Sequence, residues 1–114
     1  MLEKVKISDV LCCNKVLYKI YEQKSNFTAN IGFKIFKLMK QFDEVEEYLF
    51  DLIEKCFGTV DITNMTEEQK QFYFGAISCE IELDYERIER KHFEENDTLV
   101  LNIEDIEALG IILC

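Results

Sequence analysis

The segment between Thr28 and Gly58 constrains the fold most, because its apolar residues recur at helical spacing without interruption. Steps of three and four residues are typical of one buried helix face. Thr28 is a good N-cap and Gly58 suits the position after a helix end, so the pattern predicts a helix over 29–57, about 43 Å long at 1.5 Å per residue. Its main apolar stripe consists of Ile31, Ile35, Leu38, Phe42, Val45, Leu49, Leu52 and Cys56.

A second apolar stripe lies on the same predicted helix, although one stripe is enough for a simple helical hairpin. The additional residues are candidates for an oligomer interface, for example of a homodimer, and a fuller core within the chain also explains them. The residues of this candidate interface are Phe36, Met39, Phe50, Ile53 and Phe57.

Shorter patterns on either side indicate further elements. Ser8 is the predicted N-cap of a first helix that ends near Lys24, and the short link after it makes the first two helices antiparallel neighbours. A capping box formed by Thr66 and Gln69 starts a third helix. Alternation over 80–86 predicts a strand, which we expect to pair as a hairpin with a second strand at 98–101.

Weaker signals complete the expected fold. Residues 3–7 and 60–62 are candidate short strands, and Asn102 is the predicted N-cap of a short helix over 103–109. The fold class we expect is α+β and mainly helical, with a helical hairpin, a third helix, a small antiparallel β-hairpin and a short C-terminal helix. At 114 residues the chain is predicted to be a single domain, 1–114.

The charge of the chain is strongly asymmetric. Its net charge is −10, divided into +5 over residues 1–40 and −15 over residues 41–114. A surface this acidic repels nucleic acid and is attracted to basic surfaces. Direct nucleic-acid binding is therefore disfavoured, and the expected partner is a basic surface of another protein, such as one that normally holds nucleic acid.

The residues that usually carry catalysis or metal binding are sparse. The single histidine, His92, has no neighbouring ligands, and the five cysteines are irregularly spaced with no Cys-x-x-Cys pair. The glycines are too scattered for a phosphate-binding loop. We therefore expect no catalytic residues, no metal and no cofactor. The lack of a secretory pattern and of a long apolar run predicts a cytoplasmic protein without a membrane span.

An acidic ladder on the predicted strand is the candidate partner-binding site. Its carboxylates alternate with apolar residues, so they share one exposed face, where like charges repel one another. A plain solvated face is the alternative explanation. The candidate binding residues are Glu80, Glu82, Asp84, Glu86 and Glu89.

Several blocks of the sequence resemble short proteins of unassigned function from tailed phages and prophages of low-GC Gram-positive bacteria. These blocks are FTANIGFKI at the start of the long helix, LIEKCFG at its end, residues 72–83, and LNIEDIEAL near the C-terminus. The resemblance covers most of residues 27–113 and implies a phage or mobile-element origin. It supplies no catalytic residues.

With the acidic charge, this resemblance implies a non-enzymatic protein that inhibits a bacterial defence protein, such as a nuclease of the CRISPR type, in the host cytoplasm. One alternative is a phage assembly or tail-chaperone-like protein that oligomerises through the long helix. Another is a protein that sequesters a nucleotide signal, for which Lys34, Lys37 and Tyr48 are candidate contacts.

Overall fold

The computed structural model describes residues 2–24, 26–59 and 61–114. It has an α+β fold that is mainly helical, which confirms the predicted class. The elements are β1 (Leu2–Lys6), α1 (Ile7–Glu22), α2 (Ala29–Phe57), α3 (Glu67–Ile77), β2 (Glu80–Asp84), α4 (Lys91–Glu94) and α5 (Ile103–Ala108), with 3-10 turns at Ile62–Asn64 and Leu109–Ile111. Within these described residues, no helix combines the length and apolarity that crossing a membrane requires.

The long helix α2 begins and ends where the sequence predicts. The Thr28 hydroxyl accepts a hydrogen bond from the Ile31 backbone N–H at 3.4 Å. Gly58 follows the last turn with φ at 73°, a left-handed conformation that favours glycine. Its N–H donates to the Glu54 carbonyl at 2.7 Å. Local hydrogen bonds thus satisfy both ends of the helix.

The buried face of α2 leaves the predicted main stripe near the C-terminal end. From Ile31 to Leu49 the stripe is buried or half-buried, but Leu52 is 46% exposed and Cys56 is exposed. A straight α-helix drifts by about 20° per heptad against a seven-residue repeat. The buried face therefore moves to Ile53 in the last turns, and the predicted stripe is wrong at Leu52 and Cys56.

The first helix starts one residue before its predicted N-cap. Ser8 lies inside the first turn of α1, and Lys6 holds the N-cap position without a side-chain hydrogen bond. The Ile7 N–H donates instead to the Cys79 carbonyl at 3.0 Å. A tertiary contact from the residue before β2 therefore replaces the expected local cap. The helix ends at Glu22, close to the predicted end.

The predicted pairing of β2 with residues 98–101 is wrong. β2 pairs antiparallel with β1, in a register that runs from Leu2 opposite Asp84 to Lys6 opposite Glu80. Residues 98–101 form no strand. They lie instead against the end of α1, where the Gln23 side chain accepts from the Val100 N–H at 2.7 Å and donates to the Val100 carbonyl at 2.9 Å. The backbone N–H and carbonyl of Val100 thus bond to a side chain and not to a neighbouring strand.

Two further helices begin at their predicted N-caps, Thr66 and Asn102, and each has a capping box. The hydroxyl of Thr66 accepts from the Gln69 N–H at 3.2 Å, and Asn102 and Asp105 form the corresponding reciprocal pair at the start of α5. Two predicted features touch Ser25 and Val60, which lie outside the described residues. These are the short link after the first helix and the short strand at 60–62, whose Ile62 belongs to a 3-10 turn.

The core has two parts that share α2. The larger part packs α1 and α2 against β2 and the C-terminal segment, and the Phe42 ring meets the Tyr85 ring edge-on at 5.9 Å. The smaller part lies at the far end of α2, where Leu49, Ile53 and Met65 are buried beside α3. The long helix therefore holds both parts of the fold together.

Arg87 links β1 to the C-terminal segment by hydrogen bonds. Its guanidinium donates to both carboxylate oxygens of Glu3 at 3.0 Å, and a third hydrogen bond reaches the Leu113 carbonyl at 3.0 Å. The bidentate bond from Arg87 holds the pKa of Glu3 below its ordinary value of 4.5. This ion pair contributes to stability only while Glu3 is ionised.

We expect the Glu3→Gln variant to lose less stability than the wild type as the pH falls into the acid range. Because the pKa of Glu3 is lower in the folded chain, its contribution is complete above 4.5 and is lost as the pH falls through the folded value. Urea unfolding at a series of pH values should show wild type more stable near neutrality, with the two curves converging in acid. A difference that stays constant across this range would contradict the prediction.

Candidate interaction surfaces

The acidic ladder on β2 lies on an exposed face of the two-stranded sheet, but lysines share that face. Glu80, Glu82 and Asp84 are exposed, as predicted. In the sheet register, Lys6 stands opposite Glu80 and Lys4 stands opposite Glu82, and Lys4 also lies 3.8 Å from the Glu80 carboxylate. Opposite charges on neighbouring strands attract one another. This face is therefore mixed in charge rather than uniformly acidic.

The two remaining candidates beyond β2 also have basic neighbours. Glu86 lies 3.5 Å from the Lys34 ammonium of α2, and Glu89 lies 3.3 Å from Lys91. Both carboxylates are exposed, so each pair is worth little in stability. Four of the five candidates, Glu80, Glu82, Glu86 and Glu89, thus have a lysine beside them.

A more uniform acidic surface lies on the solvent side of α2, which we call the α2 acidic stripe. It consists of Glu44, Glu47, Asp51 and Glu54, all exposed. The steps of three, four and three residues place them on one side of the helix over about 15 Å. Among the ion pairs of the described residues, none involves these four carboxylates.

The sequence carried a signal for this stripe that was missed. The spacing of its acids follows the same helical period as the main apolar stripe of α2, on the opposite side. Apolar spacing alone assigns only the buried face of a helix, and the alternation of acids on β2 is easier to recognise than a helical row of acids.

A polar cluster joins α1 to the middle of α2. The Asn14 side chain is 1% exposed, and its Nδ2 donates to Asp43 at 2.9 Å and to Glu46 at 3.2 Å. The Tyr18 hydroxyl donates to the other Asp43 oxygen at 2.6 Å. This hydrogen bond raises the pKa of Tyr18 to about 12. The cluster fixes the register of the two helices, because any axial slip would leave Asp43 and Glu46 without their buried donor.

The basic residues near the N-terminus are partly used within the fold. Lys19 pairs with Asp105 of α5, and Lys34 pairs with Glu86. Lys37 and Tyr48, two of the candidate nucleotide contacts, are separated by about 16 Å along α2 at 1.5 Å per residue. They do not converge in one protomer, so the nucleotide alternative would need contributions from a second chain.

The candidate oligomer interface is divided by the structure. Met39 and Ile53 are buried within the core of the chain itself, so they leave little surface for a partner. Phe57 is half-buried, and its ring packs edge-on against Phe72 of α3 at 5.4 Å. Phe36 and Phe50 remain exposed, at 51% and 40%. The second stripe thus supplies both core and surface residues.

An apolar groove borders Phe36. It lies between the C-terminal end of α1 and the N-terminal half of α2, has a volume of about 620 Å³, and is lined by residues that include Ile20, Tyr21, Phe27, Gly32, Phe36 and Met39. Lys24 also lines it. We call this cavity the α1–α2 groove.

The groups with chemical reactivity are dispersed. Burial raises the pKa of the Cys13 thiol to about 12, so this thiol is a poor nucleophile. His92 borders a cavity of about 330 Å³ to which no described cysteine contributes. In the part of the chain that the structure describes, no three His, Cys, Asp or Glu side chains are grouped to hold a metal ion.

No protein-family model, no curated protein and no solved structure matches this chain.

Proposed function

We propose that this protein is a non-enzymatic binding protein that docks an acidic surface onto a basic surface of another protein. The observation that carries the proposal is the α2 acidic stripe, whose four exposed carboxylates have no ion pair among the described residues. Neighbouring carboxylates at this spacing destabilise a helix by about 0.2–0.5 kcal/mol per pair. A cationic partner surface would remove this repulsion.

The shape of α2 supports the same proposal. Its acidic half, residues 41–57, carries a net charge of −5 on one continuous helix, which begins and ends with well-formed caps. Both parts of the core hold this helix in place. A rigid row of carboxylates over about 15 Å is complementary in charge to a groove that basic side chains line. Little ordering cost then opposes association.

The target class that we propose is a nucleic-acid-binding protein of bacterial defence, such as a nuclease. The charge supports the basic groove, and the resemblance to small phage proteins supports the defence role. In this proposal the acidic stripe occupies the path of the nucleic acid and competes with it. The mixed-charge face of β2 would lie outside the main contact or at its edge.

Affinity capture from a bacterial lysate tests this proposal. The immobilised chain should retain basic nucleic-acid-binding proteins, and excess duplex DNA or added salt should release them. Reversal of the stripe in a variant with Glu44→Lys, Glu47→Lys, Asp51→Lys and Glu54→Lys should abolish this retention. Circular dichroism establishes that each variant is folded.

A second variant, with Glu80→Lys, Glu82→Lys and Asp84→Lys, is the matched control. It changes three exposed acids on the same protein and should retain the captured proteins. Loss of capture in this variant alone would place the docking surface on β2, in agreement with the acidic alternation of its sequence. Capture that survives both reversals would contradict binding through an acidic surface.

A further inference from the structure

The α1–α2 groove and the residue Phe50 lie on the same flank of the helical hairpin. Phe36 and Phe50 are fourteen residues apart on α2, which is nearly four helical turns and about 21 Å. Both phenylalanines lie on the side of α2 that borders α1. The hydrogen bond from Tyr18 to Asp43, which lies midway between them on α2, shows this. One flank of the hairpin thus carries a groove at one end and an exposed aromatic side chain at the other.

We infer that a second copy of this chain occupies the groove, in an antiparallel arrangement of the two α2 helices. A two-fold axis near Asp43 places Phe50 of each copy at Phe36 and the groove of the other copy. The contact is isologous, because the same flank serves both copies. It closes after two chains and produces a dimer rather than a filament.

Away from the axis, where the two Asp43 carboxylates approach each other, the charges of α2 are complementary in this orientation and repulsive in the parallel one. Residues 29–40 carry a net charge of +3, and residues 41–57 carry −5. In the antiparallel register, Lys40 of one copy lies beside Glu47 of the other. Glu54 of the second copy lies near Gly32 of the first. Gly32 and Lys24 both line the groove of the first copy. A parallel pair would instead place acids against acids along half of the helix.

The exposed aromatic surface on this flank can supply about half of the area that one partner buries in a standard interface. Tyr18, Tyr21, Phe36 and Phe50 are 40%, 65%, 51% and 40% exposed. With about 200 Å² for each side chain, they leave about 400 Å² of aromatic surface on each copy. This is about half of the roughly 800 Å² per partner that a standard interface buries. Aromatic residues are also enriched at the centres of such interfaces.

Sedimentation velocity of the purified chain over a wide concentration range tests the inference without any target. The wild type should shift from monomer to dimer as its concentration rises. Phe36→Ala and Phe50→Ala should each weaken dimerisation by about tenfold or more, because each substitution removes two symmetric contacts. Phe33→Ala is the matched control. This phenylalanine is 66% exposed and borders a different cavity, beside β2, so its loss should leave dimerisation unchanged.

Exchange of charges tests the orientation. Lys40→Glu and Glu47→Lys should each weaken the dimer, and the double variant should restore it, because the two positions meet across the axis. A chain that stays monomeric at every concentration would overturn the inference, as would a dimer that Phe36→Ala and Phe50→Ala do not affect. A double variant no stronger than the single ones would overturn the antiparallel arrangement.

This inference is independent of the proposed target, although Glu47 and Glu54 serve both contacts. A target that uses the α2 acidic stripe should therefore dissociate the dimer. Failure of lysate capture with an intact dimer would overturn only the proposed function. If the chain captures basic proteins but remains monomeric, only the inference of a dimer would be overturned.

Discussion

Asn14→Asp is expected to destabilise the folded chain by about 3–5 kcal/mol at neutral pH, because it places an uncompensated carboxylate in the interior. The wild-type side chain is 1% exposed and donates to Asp43 and Glu46. The substitution removes this donor and brings a third negative charge to the same place. Urea unfolding at neutral pH measures the loss.

The pH dependence of this variant distinguishes charge from packing. Burial and the two neighbouring acids raise the pKa of an aspartate at this position, so it becomes neutral as the pH falls. The difference from wild type at the same pH should therefore shrink in mild acid. Asn14→Ala, which adds no charge, should cost about 1–3 kcal/mol. An Asn14→Asp variant as stable as Asn14→Ala at neutral pH would contradict the assigned geometry.

Phe42→Ala is expected to cost about 3–5 kcal/mol, since it leaves a cavity where α2 meets β2 and the C-terminal segment. The Phe42 side chain is 0% exposed, and its ring packs edge-on against Tyr85. The Tyr85 hydroxyl donates to the Ile111 carbonyl at 2.6 Å, so the cavity would also loosen the contact that holds the C-terminus. Thermal and urea unfolding both measure this effect.

Phe33→Ala is the comparison within the same helix. Phe33 is 66% exposed, and surface substitutions of this kind usually change stability by no more than about 0.5 kcal/mol. Similar losses in the two variants would show that Phe42 is not at the centre of the core. Because both substitutions replace the same residue type on α2, differences in helix propensity cancel.

The elements that could be predicted from the sequence are those whose signals are local. Thr28 and Gly58 bound α2, the Thr66 and Asn102 capping boxes start α3 and α5, and each signal lies within four residues of the helix end that it satisfies. Such hydrogen bonds form wherever the chain turns into a helix. They therefore need no knowledge of the rest of the fold.

The contacts between distant segments could not be predicted in this way. β2 could have paired with 98–101 or with the N-terminal segment, because alternation identifies a strand but not its partner. The start of α1 at Ile7 depends on the Cys79 carbonyl, which no local pattern reveals. The burial of Asn14 depends on distant contacts in the same way, since its two acceptors lie on another helix.

The sequence by itself determined both ends of α2, the starts of α3 and α5, and the amount of charge and its division along the chain, because these follow from local hydrogen bonding and simple counting. Only the tertiary structure decided which charges face solvent without a partner. Pairing with β1 places Lys4 and Lys6 beside the acids of β2, whereas Glu44, Glu47, Asp51 and Glu54 of α2 have no ion pair among the described residues. The reason is physical: the field of a surface depends on which charges folding brings together, and these charges come from segments far apart in the chain.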